Sequence, residues 1–317
     1  MRVYVPILLA GLLTTTGSGH AADLVIGIPS WSSAKATAHV IKEVLEDKLK
    51  LDVELKEGTN EEIFAGMDDG TIDIHPEVWL PNLMALHDKY VIRRKSAIMS
   101  EKAVPGEQGL CVTRHTAEGH GIRKIEDLAD PGKARKFDTD GDGRGELWVG
   151  DKDWASTRIE KIRARSYGHA QTMQLLEADE TVAMAAVDAA VAVDRPIVFY
   201  CYAPHHVFSL HEIVFLEEPP HDPRDWRIID PAEDAQWLTK SNAAVGWAIS
   251  FLHVTYSSRL AESQPRAAQL LSAMKLDVDT VSSMTYAIVV EGMEPSEFAR
   301  QWVATNGERV DAWLAAK

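Results

Sequence analysis

Positive charge is in short supply in this sequence: 33 Lys and Arg stand against 48 Asp and Glu, a formal charge of −15 over 317 residues. Nucleic acid and anionic membrane surfaces are engaged through basic patches, so neither is an expected partner. Cysteine is nearly absent, with two in the chain. Beyond residue 22 no stretch reaches the roughly 18 consecutive apolar residues of a membrane-spanning helix. Catalytic signatures are missing as well. There is no Gly-x-Ser-x-Gly elbow, no phosphate-binding loop and no His-x-x-x-His pair, so an enzyme is not the expected class.

What is present is a globular composition, 45% hydrophobic and 26% charged. The length exceeds what one compact core holds, which predicts two lobes. Tryptophan is over-represented, with nine against seven Phe and seven Tyr. Residues 1–21 read as a secretory signal peptide. Arg2 supplies the positive start, residues 3–13 the apolar run, and Gly19-His20-Ala21 the small-x-small cleavage pattern. The cut is expected after Ala21 or Ala22, which places the mature protein in the periplasm as a soluble monomer. Export bears on the two cysteines, each in an apolar run that reads as a strand (residues 109–113 and 196–202). Cys111 and Cys201 pair if those strands are neighbours; otherwise each is a small core residue.

Apolar runs at 24–28, 51–55 and after the turn at Gly70 alternate with helical spacing at 35–49 and 60–67. Strand, helix, strand, helix, strand predicts βαβ units and a parallel sheet. The pattern returns with strands at 147–150 and 196–202, a helix at 156–165 and an Ala-rich segment at 181–192. Residues 217–234 read as a surface excursion. The rest is expected to be mostly helical, at 242–257, 264–274, 280–290 and 296–314. The fold class is therefore α/β, two lobes each with a mixed, mostly parallel sheet, closing on a hinge as in type II periplasmic binding proteins. One lobe is expected from residues 22–106 and 207–317 and the other from 107–206, with crossings near Pro105 and Pro204.

Four aromatic residues sit at strand carboxyl ends, where open α/β folds form clefts. Trp31 follows the first strand, Trp79 the third and Trp154 the strand ending at Gly150. Tyr202 closes the strand before Pro204-His205-His206. Rings converging from both lobes make a box for a cation without hydrogen-bond donors, each desolvated contact contributing about 2 kcal/mol. Three or four such contacts approach the roughly 8 kcal/mol of a micromolar dissociation constant, before ordering costs. The plainer reading of each ring is a seal on a strand end.

The sequence resembles the glycine betaine/choline family of ABC-transporter substrate-binding proteins over essentially the whole mature chain. The marks are Ile26-Gly27-Ile28 leading to Trp31, Gly70-Thr71-Ile72-Asp73-Ile74 leading to Glu77-Val78-Trp79-Leu80-Pro81, and Gly121-Ile122-Arg123-Lys124-Ile125-Glu126-Asp127-Leu128. Pro196-Ile197-Val198, Pro204-His205, Leu216-Glu217-Glu218-Pro219 and Val310-Asp311-Ala312-Trp313-Leu314 follow in order. The resemblance implies a methylated-amine ligand (glycine betaine, choline, carnitine or trimethylamine N-oxide) and a membrane permease as partner. By position Trp31, Trp79, Trp154 and Tyr202 look like the box; Tyr202 and His206 stand where Trp is common. Several residues are candidates for the ligand's polar end. Ser32 and Ser33 offer backbone N–H groups to a carboxylate or are plain N-caps. Glu77, if protonated, donates to an N-oxide or is a solvated loop acid. His205 supports the site or is structural.

Residues 138–146 carry Asp138, Asp140 and Asp142 at positions 1, 3 and 5 of a calcium-type loop, with Gly143 at the turn. Arg144 offers its carbonyl and Glu146 sits at position 9, whereas position 12 is Val149 in place of the usual Glu. The loop is read either as a structural calcium site near Trp154 or as a solvated acidic turn. Two rival functions remain, metal capture through His205 and His206 and a secreted metal-dependent hydrolase.

Overall fold

The computed structural model describes residues 22–316; the expected signal peptide lies outside the described residues. Its strands are β1 (Leu24–Ile28), β2 (Val53–Glu57), β3 (Ile74–Leu80), β4 (Ala97–Thr113), β5 (Gly145–Gly150), β6 (Met173–Glu177), β7 (Val198–Ala203), β8 (Ile213–Phe215), β9 (Trp226–Arg227), β10 (Asn242–Ala243) and β11 (Ser250–Ser257). Nine of them form one twisted assembly in the order β2-β1-β3-β11-β4-β7-β5-β6, with β8 also on β4.

The expected βαβ units are there. β1 lies parallel to β2 and β3, and β5 parallel to β6 and β7. Parallel strands covered on both faces must be apolar throughout, and β1 is buried along almost its whole length. The helix Ser32–Leu49 crosses from β1 to β2 with Val40, Ile41, Val44 and Leu45 packed inward. The next helix, Asn60–Asp69, starts from a Thr59–Glu62 capping box and ends at Gly70 in the left-handed region (φ 97°).

β4 joins the two halves. Its first part pairs antiparallel with β11 as far as Gly106 opposite Ser250; its second part pairs with β7 from Glu107 opposite Ala203. At Gly106 the strands are so close that a Cβ would meet Leu252 at 2.8 Å and Trp79 at 3.0 Å. The bridge Cys111–Cys201 forms between these neighbouring strands, with Cα atoms 5.8 Å apart.

The sequence reading fails in one place. The helix expected over 242–257 is instead β10 and β11, and β11 is central, antiparallel to both β3 and β4. Its β-branched and aromatic content (Val254, Thr255, Phe251, Tyr256) suits a pleated surface, a preference that the apolar run alone did not reveal. β8 adds to the second half through Ile213 opposite Thr113, and residues 217–247 then pack on the helix Ala155–Tyr167. There the fully buried Arg163 bonds Glu160, Glu218 and the carbonyl of Val245, while Trp247 donates to Glu160 at 2.7 Å. The carboxy-terminal helices, Pro265–Ala273, Val278–Val289, Pro295–Thr305 and Gly307–Ala315, complete the first half.

Candidate ligand-binding site

The two halves present their aromatic rings through the same local device. Trp31 and Trp154 each occupy the N-cap position of the helix after β1 and β5, in extended backbone conformation and without a side-chain cap. Both indoles are buried beyond the carboxyl ends of their strands. Gly150 (φ 121°) is needed at the end of β5, since a Cβ there would collide with the Thr157 hydroxyl and lie 3.2 Å from the Trp154 ring. Trp79 is supplied by β3 and Tyr202 by β7, on either side of the β11–β4 pair.

These four rings meet. Trp31 and Trp154 stand edge to face with centroids 6.2 Å apart, Trp154 and Tyr202 at 5.9 Å, and Trp79 and Tyr202 at 5.3 Å. They wall a narrow cavity of about 30 Å³ together with Asn60, Asn82, Leu83, Ala155, Ser156 and Tyr200. No Lys or Arg is among its lining residues. Tyr200 was missed in the sequence, although it lies two residues before Tyr202 and so on the same face of the strand. Its ring is 6.3 Å from both Trp154 and Tyr202, and its hydroxyl donates to Gln108 at 2.8 Å.

The other candidates stand behind this wall. Oε1 of Glu77 accepts from the indole N–H groups of Trp31 at 2.7 Å and Trp79 at 2.9 Å, and from the Ser33 hydroxyl at 2.6 Å. Burial pushes the Glu77 carboxyl above its usual range, and these three donors oppose the shift. Glu77 thus orients two rings and is neither a solvated acid nor part of the cavity lining. Ser32 and Ser33 are not N-caps, because Trp31 holds that position. The Ser32 N–H is engaged at 2.9 Å by Oε2 of Glu180, which comes from the other half of the molecule.

Glu180 was not singled out in the sequence; an acid at the start of an Ala-rich helix is ordinary there. Its Oε1 accepts from the Tyr202 hydroxyl and lies 3.3 Å from Nε2 of His205. Burial favours the neutral acid, but the donors from His205, Tyr202 and Ser32 outweigh it and hold the carboxyl below its usual range. Further contacts link the halves: Trp154 donates to Ser30 at 2.8 Å, Arg158 to Glu61 at 3.1 Å, and the Asn82 and Gln108 amides exchange hydrogen bonds at 2.9 and 2.8 Å.

The acidic loop is only partly assembled as expected. Asp138, Asp140 and Glu146 bring carboxylate oxygens within 4.8 Å of one another. Asp142 and Arg144 stand outside that group. The Asp142 carboxylate turns back on the Arg144 N–H, and the Arg144 guanidinium bonds the carbonyls of Ala170 and Met173. His205 and His206 stack on each other with centroids 4.1 Å apart and do not converge with a third metal-binding side chain. Among the described residues the Asp138 group is the cluster with metal-ligand geometry.

Two α/β halves joined by two neighbouring strands, with an aromatic cavity between strand carboxyl ends, define a two-lobed solute-binding protein. The chain belongs to the family described as the substrate binding domain of ABC-type glycine betaine transport system, whose model matches residues 22–305. It is 23% identical over 216 residues to the glycine betaine/proline betaine-binding periplasmic protein of Salmonella typhimurium, across 65% of this chain and 63% of the relative. The corresponding protein of Escherichia coli (strain K12) is 24% identical, also over 65% of this chain and 63% of its own length. The chain thus aligns with less than two thirds of these relatives. Among solved structures, an ABC-transporter choline binding protein in complex with choline superposes with a TM-score of 0.73 at 17% identity, covering 92% of this chain and 91% of that one. Lactococcal OpuAC in its closed form with glycine betaine gives a TM-score of 0.71 at 18% identity, covering 92% and 98%. No helix among the described residues is long and apolar enough to cross a membrane.

Proposed function

We propose that this protein captures a methylated amine in the box formed by Trp31, Trp79, Trp154 and Tyr202, with Tyr200 as a fifth ring, and delivers it to the permease of an ABC transporter. The carrying observation is the convergence of rings from both halves on one cavity without a Lys or Arg in its lining. Such faces attract a trimethylammonium group through their quadrupoles and give no hydrogen bond that water would supply better. The role is binding and release, without chemistry on the ligand, in the periplasm. The proposed lobes are residues 22–106 with 249–316, and 107–248, following the strand pairing.

The test is intrinsic tryptophan fluorescence of the mature protein titrated with glycine betaine, choline, carnitine and trimethylamine N-oxide. A saturable change at micromolar concentration with at least one is expected; silence with all four overturns the reading. A calcium ion on Asp138, Asp140 and Glu146 belongs to the same proposal, as a brace on the lobe that carries Trp154. Its support is Oε1 of Glu146, buried without a hydrogen-bond partner and so open to a cation. A rise in melting temperature with calcium over chelator is expected; equal melting removes the ion.

A further inference from the structure

The helix Ser32–Leu49 is long enough to carry a full positive end, and the residue at its N-cap, Trp31, contributes no side-chain acceptor. An anion belongs there, and Ser32 and Ser33 were candidates either to receive a ligand carboxylate or to act as plain N-caps. The place is taken. The N–H of Ser32 points at Oε2 of Glu180, and the Ser33 hydroxyl at Glu77. Neither serine lines the cavity.

Glu180 is itself buried, 8% exposed, and its other oxygen is held by the Tyr202 hydroxyl, so the box ring and the acid are mechanically linked. Nδ1 of His205 accepts the N–H of Val207 at 3.1 Å, and its Nε2 lies 3.3 Å from Oε1 of Glu180. The Glu180 carboxyl, held below its usual range, thus sits one tyrosine ring from the cavity. The available counterweight is the start of the helix Ala155–Tyr167, where Ala155 and Ser156 line the wall. A helix end offers about half a charge, which suits a hydroxyl or N-oxide oxygen but does not balance a carboxylate brought up to Glu180.

We infer that Glu180 is a specificity residue: it fills the helix N-terminus in place of a ligand carboxylate, helps hold the two lobes together, and selects methylated amines that carry no carboxylate. The inference rests on the aromatic-box reading above. Like charges juxtaposed at an interface cost several kcal/mol, so discrimination of at least about a hundredfold, about 2.7 kcal/mol, is expected.

The experiment is isothermal titration of the mature protein with two pairs of ligands, choline and trimethylamine N-oxide against glycine betaine and carnitine. At least one of the first pair is expected to bind about a hundredfold more tightly than either of the second. In Glu180→Gln, with folding checked by circular dichroism, the gap narrows by about tenfold or more: the carboxylate-free ligand weakens and glycine betaine strengthens. Glycine betaine bound as tightly as the first pair by the unaltered protein overturns the inference and leaves the box standing. An unchanged gap in folded Glu180→Gln also overturns it. Silence with all four ligands removes the box and the inference together. Should the variant not fold, the wild-type ranking alone decides.

Discussion

Trp154 donates its indole N–H to the hydroxyl of Ser30 at 2.8 Å, so a box ring carried by one lobe is steered by a loop of the other. The ring is in position when the lobes are together and loses a partner when they part. Ser30→Ala removes one neutral hydrogen bond, worth about 1 kcal/mol. The expected outcome is roughly fivefold weaker ligand binding with unchanged melting of the ligand-free protein, read by fluorescence titration and calorimetry.

Truncating the rings themselves is expected to cost more. Trp31→Ala and Trp79→Ala each lose a desolvated cation–π contact, about 2 kcal/mol or more, which is over tenfold in affinity. Unchanged binding in both variants withdraws the box assignment.

Glu77 separates orientation from charge. Glu77→Gln retains an acceptor for Trp31, Trp79 and Ser33, whereas Glu77→Leu leaves three buried donors without one. An unsatisfied buried donor costs about 1–3 kcal/mol. Glu77→Leu is therefore expected to lower the melting temperature markedly and to weaken binding, with Glu77→Gln close to the parent. Equal behaviour of the two variants contradicts the orienting role.

Stability is expected to fall on the acid side of neutrality. Burial pushes His75 and His169 down to about 3, while an unfolded histidine titrates near about 6.5. Between those values the unfolded chain holds more protons than the folded one, so the stabilisation present above about 6.5 is lost as pH drops toward about 3. The slope per histidine is at most about 1.4 kcal/mol per pH unit. Glu77 acts in the opposite sense: its raised carboxyl favours the folded state at low pH, and that contribution is lost as pH rises through its folded value. Urea unfolding at pH 5 and pH 7 reads the balance. In His169→Phe the acid loss is expected to shrink; an unaltered loss excludes His169 as a source.

The disulfide closes a loop across 90 residues of sequence. Chain-entropy arguments assign such a loop about 4–5 kcal/mol. Cys111→Ala with Cys201→Ala is expected to lower the unfolding midpoint in denaturant by a corresponding amount. Ligand affinity should hardly change, because neither sulfur reaches the cavity.

The convergence of the four candidate rings was legible because it depends on short-range pattern. Trp31, Trp79, Trp154 and Tyr202 each end a readable strand, and strand ends in α/β folds converge. The pairing of Cys111 with Cys201 depended on a strand order that the sequence did not determine. Glu180 lay beyond reach for a related reason: its partners Ser32 and Tyr202 come from distant segments, and an acid in the first turn of a helix has a sufficient local explanation. β11 was lost because its short apolar run fits either period, and only its place between β3 and β4 decides in favour of a strand. Nothing local in residues 217–247 signals that Arg163 would hold Glu218 and the carbonyl of Val245.

On the division proposed above, both chain crossings lie on one rung of the sheet, where Gly106 faces Ser250. Opening can then proceed as a torsion of a two-stranded ribbon whose backbone hydrogen bonds stay paired throughout. The ladder contributes little to the difference between open and closed forms. The balance falls to the side chains that touch across the gap: Trp154 on Ser30, Glu180 on Ser32, Arg158 on Glu61, and Gln108 on Asn82 and Ser250. Small changes at these contacts should retune how readily the empty protein closes.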